Sequence, residues 1–342
     1  MDQSFYGLRV LHSAPMSEPA IRAFTLSNGG LRLRAINYGS IVTGLDVPDR
    51  AGRLADVALG LKDLEAYLAG HPYFGCTAGR CANRIAEGRF SIEGRPFQVA
   101  RNNGPHHLHG GARGFDRRVW EVDGADATSV RFSLTSPDGE EGYPGTVKAQ
   151  VVYALTPENE FRVEMTATTD APTPVNLVHH TYWNLAGQGS ILDHRLTIDA
   201  DRYTPVDATL ITTGELAEVE GTPFDFRRSK RIGDDLGRVP GGFDHNFVVR
   251  GGGLRRAARL EDPRSGRVME IASDQPGIQF YTGNFLDGTS KGKAGATYRK
   301  HAGLCLETQV FPDAVNKPDW TSPLLRPGET YRHVMVHRFS AG

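Results

Sequence analysis

Apolar and polar side chains alternate strictly through several stretches of the chain. Phe161-Arg162-Val163-Glu164-Met165-Thr166-Ala167 is the clearest, Val147–Leu155 precedes it, and Leu31-Arg32-Leu33-Arg34-Ala35-Ile36 repeats the pattern. A period of two places alternate side chains on one face of an extended segment, so each stretch predicts a strand with one buried face. Residues 90–99 alternate on both sides of Glu93-Gly94, which predicts a hairpin turning there. Pro48-Asp49-Arg50-Ala51-Gly52, Pro137-Asp138-Gly139, Asp262-Pro263-Arg264-Ser265-Gly266 and Arg326-Pro327-Gly328 supply turns between extended segments. Helical spacing is confined to residues 61–68, through Leu61, Leu64, Glu65 and Leu68. These patterns predict a large antiparallel all-β protein with very little helix.

Composition narrows the function classes. The 342 residues include 40 Gly and 20 Pro, in keeping with many turns, and 39% hydrophobic residues, enough for a sizeable core. Lys and Arg number 39 against 40 Asp and Glu. Near-neutrality argues against nucleic acid or a membrane surface as partner, since both call for a basic surplus. Three cysteines, Cys76, Cys81 and Cys305, form no even disulfide framework and fit a reducing compartment, the cytoplasm. Cys76 and Cys81 lack the second ligand pair of a zinc site. Met1–Pro19 shows no basic segment followed by an apolar run, and no window approaches the roughly 18 apolar residues of a membrane span. With no linker, charge block or repeat, residues 1–342 read as a single domain. Neither a strand–Gly-x-Gly-x-x-Gly–helix unit nor a Gly-x-Ser-x-Gly elbow nor a phosphate loop occurs, so nucleotide-cofactor and serine-hydrolase chemistry lose their usual support.

Candidate chemistry gathers in a few segments. Asn102-Asn103-Gly104-Pro105-His106-His107-Leu108-His109-Gly110-Gly111 concentrates three histidines beside turn residues. If its end is extended, His107 and His109 face the same way, toward a metal, a sugar hydroxyl or solvent. Val175-Asn176-Leu177-Val178-His179-His180-Thr181-Tyr182-Trp183-Asn184 reads as a strand in which His180 shares a face with Asn176, Tyr182 and Asn184, and His179 the other face with Leu177, Thr181 and Trp183. His180 is then the candidate for a wet pocket, or else a satisfied core histidine, and His179 a structural group. Leu304-Cys305-Leu306-Glu307-Thr308-Gln309-Val310 sets a carboxylate into an apolar strand, where it pairs with a cation or lines a polar cleft as a general base. Arginines and an amide in Gly79-Arg80-Cys81-Ala82-Asn83-Arg84-Ile85, Asp244 in Gly242–Phe247 and Gln279 in Gln275–Asn284 add the fixed donors and acceptors that a polyhydroxylated ligand requires.

Taken in order, these segments resemble the aldose 1-epimerase (galactose mutarotase) family. The resemblance is carried by GRCANRI at 79–85, NNGPHHLHGG at 102–111 with RGFD at 113–116, VNLVHHTYWNL at 175–185, FDHN at 243–246, QPGIQFYTGNFLDGT at 275–289, and LETQ at 306–309 with FPDAVN at 311–316. It implies a β-supersandwich around a sugar cleft and interconversion of the α and β anomers of free aldoses such as glucose and galactose. It also places the catalytic base on Glu307, the catalytic acid on His180, a second active-site histidine on His109, and sugar-binding residues on Asn83, Arg84, Asp244 and Gln279. His179, where the family commonly has asparagine, and Cys76 and Cys81, where it often has aliphatic residues, depart from the pattern.

The implied chemistry needs no cofactor and no metal. An ionised Glu307 takes the anomeric hydroxyl proton while a protonated His180 gives one to the ring oxygen; the open aldehyde rotates and the ring closes on its other face. The expected partner is a monosaccharide, acted on by a monomer or weak homodimer. The alternatives are a non-catalytic sugar-binding sandwich, a glycoside hydrolase pairing Asp244 with Glu307, and a sugar-phosphate epimerase using Arg80, Arg113 or Arg117.

Overall fold

The computed structural model describes residues 20–342, so the reading of Met1–Pro19 lies outside the described residues. Two large antiparallel sheets dominate. The first has nine strands in the spatial order Glu121–Ala125, Ser129–Ser136, Val147–Leu155, Glu160–Thr169, Tyr331–Ala341, Arg267–Ser273, Arg255–Glu261, Arg195–Ile198 and Lys230–Arg231. The second has six, in the order Tyr182–Trp183, Leu304–Gln309, Gly277–Tyr281, Asp244–Val249, Ala200–Thr204 and Ala217–Glu218. A four-stranded sheet, Ala23–Ser27, Arg32–Ile36, Ile41–Pro48 and Leu54–Asp56, adds to them.

Alternation decides what faces the core. In the strands Val147–Leu155 and Glu160–Thr169 the residues Val147, Ala149, Val151, Tyr153 and Leu155 meet Phe161, Val163, Met165 and Ala167 on the buried face, with Val151 opposite Met165 and Val163 opposite Tyr153. From the six-stranded sheet, Leu304, Leu306, Ile278, Phe280 and Phe247 enter the same apolar cluster, joined by Leu33, Val42 and Leu45 of the smaller sheet. Burial of these side chains removes their apolar surface from water, at about 1.5–3 kcal/mol for each large one.

The hairpin expected at Glu93-Gly94 forms, pairing Arg89–Ile92 with Arg95–Gln98; both turn residues have positive φ (53° and 81°), as a two-residue turn between twisted strands requires. The expected helix at 61–68 is shifted to Leu64–Ala69. Asp63 caps it by accepting the Ala66 N–H at 2.9 Å, and Tyr67 rather than Leu68 is its buried residue. Leu61 stays outside because its N–H donates to the Tyr67 hydroxyl at 3.0 Å. Residues 175–184 form two short strands, Val178–His180 and Tyr182–Trp183, that pair with Cys76–Ala78 and Leu304–Gln309 in different sheets. The break at Thr181 takes this segment from one sheet to the other.

Candidate active site

Because Leu304 and Leu306 face the core, Cys305, Glu307 and Gln309 face the opposite side of the six-stranded sheet. Register chooses their neighbours: Asn246, Gln279 and Glu307 form one cross-strand row, and Asp244, Tyr281, Cys305 and Tyr182 the next. Hydrogen bonds tie the rows together. Gln279 Nε2 donates to Asp244 Oδ1 at 2.7 Å, and Gln309 Nε2 donates to Gln279 Oε1 and Asn246 Oδ1, both at 3.1 Å.

A second wall comes from the short ladder of Arg84–Ile85 with His107–Leu108. It continues as a reciprocal pair in which the His109 N–H donates to the Asn83 carbonyl at 3.1 Å and the Asn83 N–H donates to His109 Nδ1 at 3.2 Å. A backbone N–H can only donate, so Nδ1 holds a lone pair and the proton of the neutral His109 ring sits on Nε2. Asn83 and His109 both take left-handed φ values, 60° and 50°. The following Gly110 (φ 91°) lies so close to the Gly79 carbonyl that a Cβ there would collide with it. Arg84 Nε donates to Asn103 Oδ1 at 3.2 Å, and its Nη1 lies 3.8 Å from Asp244 Oδ2.

His180 closes the site from the strand Val178–His180. Its Nε2 is 3.5 Å from Glu307 Oε1, its Nδ1 is 3.6 Å from Cys305 Sγ, and its ring stands nearly perpendicular to that of His109 with centroids 5.0 Å apart. The Tyr73 ring lies 4.5 Å from His109 and 5.7 Å from His180, and Tyr73 too is left-handed at φ 63°. Three non-glycine residues in this sparsely populated region around one cleft are the kind of backbone strain that clusters at functional sites.

Burial governs the protonation of these groups. It lowers His180 to about 4, and it lowers His109 well below the ordinary imidazole value with the neighbouring His180 adding to the effect. It raises Glu307 well above the ordinary carboxyl range, as does repulsion from Asp244, while Arg84 opposes them. Asp244 is raised by burial against the pull of Arg84 and Gln279. Glu307 Oε2 is buried with no hydrogen-bond partner. The expected charged pair of carboxylate and imidazolium is thus pushed toward its neutral form, because the dry walls penalise both charges.

All seven residues expected at the site come together here, with ring nitrogens of His109 and His180 and a carboxylate oxygen of Glu307 mutually within 4.8 Å. Two imidazoles and a carboxylate are a zinc-like donor set, but metal-held imidazoles donate their second N–H outward, whereas His109 Nδ1 accepts. His106 and His107 do not join: His106 Nδ1 accepts the Glu87 N–H, and His107 is held between the Tyr143 hydroxyl and the Ala100 carbonyl. The left-handed φ at His109 ends the extended run that would have aligned it with His107. His179 lies on the core side, with Nε2 2.7 Å from Thr181 Oγ1 and its ring against Tyr153, Phe161 and His337. Arg80 spends its guanidinium on Ser136 and on the carbonyls of Pro137, Pro144 and Gly145, which leaves it no part in holding a phosphate.

Sequence reasoning missed Tyr73, Asn103 and the position of Cys305. Cys305 was deducible, since it lies two residues before Glu307 on the same strand face; Tyr73 and Asn103 carry no such periodic signal. A separate cavity of about 480 Å³ lies between residues 184–190 and 293–302, and its half-buried cation, Lys293, is already held by Asp56 Oδ2 and the carbonyls of Thr43 and Ala58.

Comparison with known proteins identifies the family. A family profile described as Aldose 1-epimerase matches residues 22–338. Galactose mutarotase of Homo sapiens is 50% identical over 335 residues, covering 97% of each chain, and Aldose 1-epimerase of Escherichia coli (strain K12) is 36% identical over 339 residues, covering 96% of this chain and 97% of its own. Among solved structures, an aldose epimerase homologue from C. elegans superposes with a TM-score of 0.90 at 32% identity, over 94% of this chain and 99% of its own. A galactose 1-epimerase from Lactobacillus acidophilus superposes at 0.84 and 29% identity, over 97% and 98%. Near-complete coverage at this identity means that the chain belongs to the aldose 1-epimerase family.

Proposed function

We propose that this isomerase interconverts the α and β anomers of free aldoses, galactose and glucose among them, with Glu307 as base and His180 as acid. The observation that carries the assignment is the 3.5 Å approach of His180 Nε2 to Glu307 Oε1 in a pocket that burial has made dry. Glu307 takes the proton of the anomeric hydroxyl as its O–H electrons form the aldehyde carbonyl. The bond from the anomeric carbon to the ring oxygen breaks, and His180 protonates that oxygen. Glu307 is then a neutral acid and His180 a neutral imidazole, the state that burial favours. The dry site thus stabilises the pair at the stage when the sugar is open. Rotation about the bond between the first two carbons and reversal of both transfers close the ring on its other face, so protons balance and no cofactor enters.

The remaining residues hold the sugar. The Nε2–H of His109 offers a fixed donor to an oxygen near the anomeric centre, Arg84 and Asn83 orient hydroxyls, and the linked pair Asp244 and Gln279 grips hydroxyls farther away. In this reading the chain works as one domain, as a monomer or weak homodimer, in the cytoplasm. Its three cysteines, all free and buried, are consistent with that compartment.

Polarimetry of freshly dissolved α-D-glucose and α-D-galactose tests the activity. The protein accelerates the decay of rotation to its equilibrium value over buffer alone; an unchanged decay with both sugars overturns the substrate assignment.

A further inference from the structure

His180 is gripped at both ring nitrogens, and only one grip belongs to the acid–base pair. Nε2 faces Glu307 at 3.5 Å, and Nδ1 faces the thiol of Cys305 at 3.6 Å, within the range of a sulfur hydrogen bond. Strand register imposes the contact. Cys305 sits two residues before Glu307 on the same face of Leu304–Gln309, between Tyr182 and Tyr281 in its row, so the residue at this place reaches the far side of the ring that Glu307 touches. The thiol is fully buried.

We infer that Cys305 is a positioning residue for the epimerase reaction: its sulfur accepts the Nδ1–H of His180 and so keeps Nε2 as the nitrogen that gives and regains the proton. The inference rests on the proposed role of His180 as acid. An imidazolium carries a proton on each nitrogen. When Nε2 passes its proton to the ring oxygen, the neutral ring that remains holds its proton on Nδ1, and that N–H needs an acceptor because the ring is buried. Sulfur supplies one at every stage without taking the proton.

A thiol differs in kind from the carboxylate that orients histidine in a Ser-His-Asp triad, where a full negative charge stabilises the imidazolium. Sulfur is a weak, uncharged acceptor, so it orients the ring without making it more basic, which suits a histidine whose task is to give a proton away. Burial, together with Glu307, Asp244 and Cys76, raises the Cys305 thiol well above its ordinary value, so it stays uncharged. The other titratable groups around His180 are His109, Tyr73 and Tyr182, whose rings pack near it, its cross-strand partner Cys76, and His71, which lowers it further; a substitution at Cys305 alters none of their side chains.

Two readouts test the assignment. In protein labelled with 15N-histidine, the His180 ring, identified by its loss in His180→Asn, shows at pH 7 the chemical shifts of the neutral Nδ1–H form. Cys305→Val moves it toward the Nε2–H form, while Cys305→Ser, which restores an acceptor, keeps the Nδ1–H form. Turnover falls about tenfold in Cys305→Val with KM within about twofold, and Cys305→Ser recovers most of the loss. A dominant Nε2–H form in the unsubstituted protein overturns the inference, and that measurement requires no Cys305 variant to fold. An unchanged tautomer and turnover in a folded Cys305→Val also overturns it. Full turnover in His180→Asn would instead overturn the acid assignment, whatever the tautomer.

Discussion

Gln279 and Glu307 stand directly opposite each other as cross-strand partners in the Gly277–Tyr281 and Leu304–Gln309 ladder. On the opposite face of these two strands, Ile278, Phe280, Leu304 and Leu306 all lie in the apolar core. The same alternation that buries four hydrophobic side chains therefore delivers an amide and a carboxyl, side by side, to the polar face. Gln279 is itself fixed, donating to Asp244 and accepting from Gln309, so it does not fold back to neutralise Glu307. One carboxyl oxygen of Glu307, Oε2, is left buried and without a hydrogen-bond partner.

Glu307→Gln tests whether that carboxyl is the base. The amide matches the side chain in size and can still accept a hydrogen bond, but it cannot take a proton. Turnover in polarimetry falls by about 100-fold or more. The thermal midpoint stays the same or rises, since the change removes a buried ionisable group that Asp244 opposes. Near-normal turnover in the folded variant would remove Glu307 from its role.

The pH profile follows from the opposed shifts of the pair. Its working state holds one proton between Glu307 and His180. Below the lowered His180 value of about 4, a second proton binds, Glu307 remains protonated and the base is lost. Above the raised Glu307 value, the shared proton leaves and the acid is lost. The rate constant kcat/KM therefore plots against pH as a broad bell whose acid limb lies below the ordinary histidine range and whose alkaline limb lies above the ordinary carboxyl range. An acid limb near 6.5, the unperturbed histidine value, would show that His180 is not desolvated in the free enzyme.

Strand alternation made much of this site legible. It placed Glu307 opposite Leu304 and Leu306, and it separated His180 from His179, and both placements hold. Register between distant strands was not legible, because nothing local fixes which residues pair, such as Asn246 with Gln279, or the side-chain bond between Gln279 and Asp244, 35 residues apart, that it permits. Left-handed residues also escaped: Asn and His are enriched at positive φ, but nothing marks Asn83 and His109 among the chain's other asparagines and histidines, and Tyr73 has no such preference, yet that geometry turns His109 out of line with His107. The dryness of the pocket is a tertiary property, so the neutral tendency of the His180–Glu307 pair could be read only once its walls were in place.

Buried histidines outside the cleft also contribute to acid stability. His333 lies between the Leu177 carbonyl and Thr308 Oγ1, and His337 is stacked on Phe161 with Nδ1 facing that residue's carbonyl; both are fully buried and lowered to about 4, mainly by burial. The unfolded chain binds protons on these rings near pH 6.5 while the folded chain does not. Their contribution is therefore intact above pH 6.5 and is lost progressively as pH falls from 6.5 toward 4, at most about 3 kcal/mol for each ring. Urea midpoints measured across that interval fall steeply with acidification. His337→Leu, which leaves an apolar group against Phe161 and Trp183, makes the fall shallower. Equal slopes in the variant and the unsubstituted protein would mean that His337 is already charged in the folded chain.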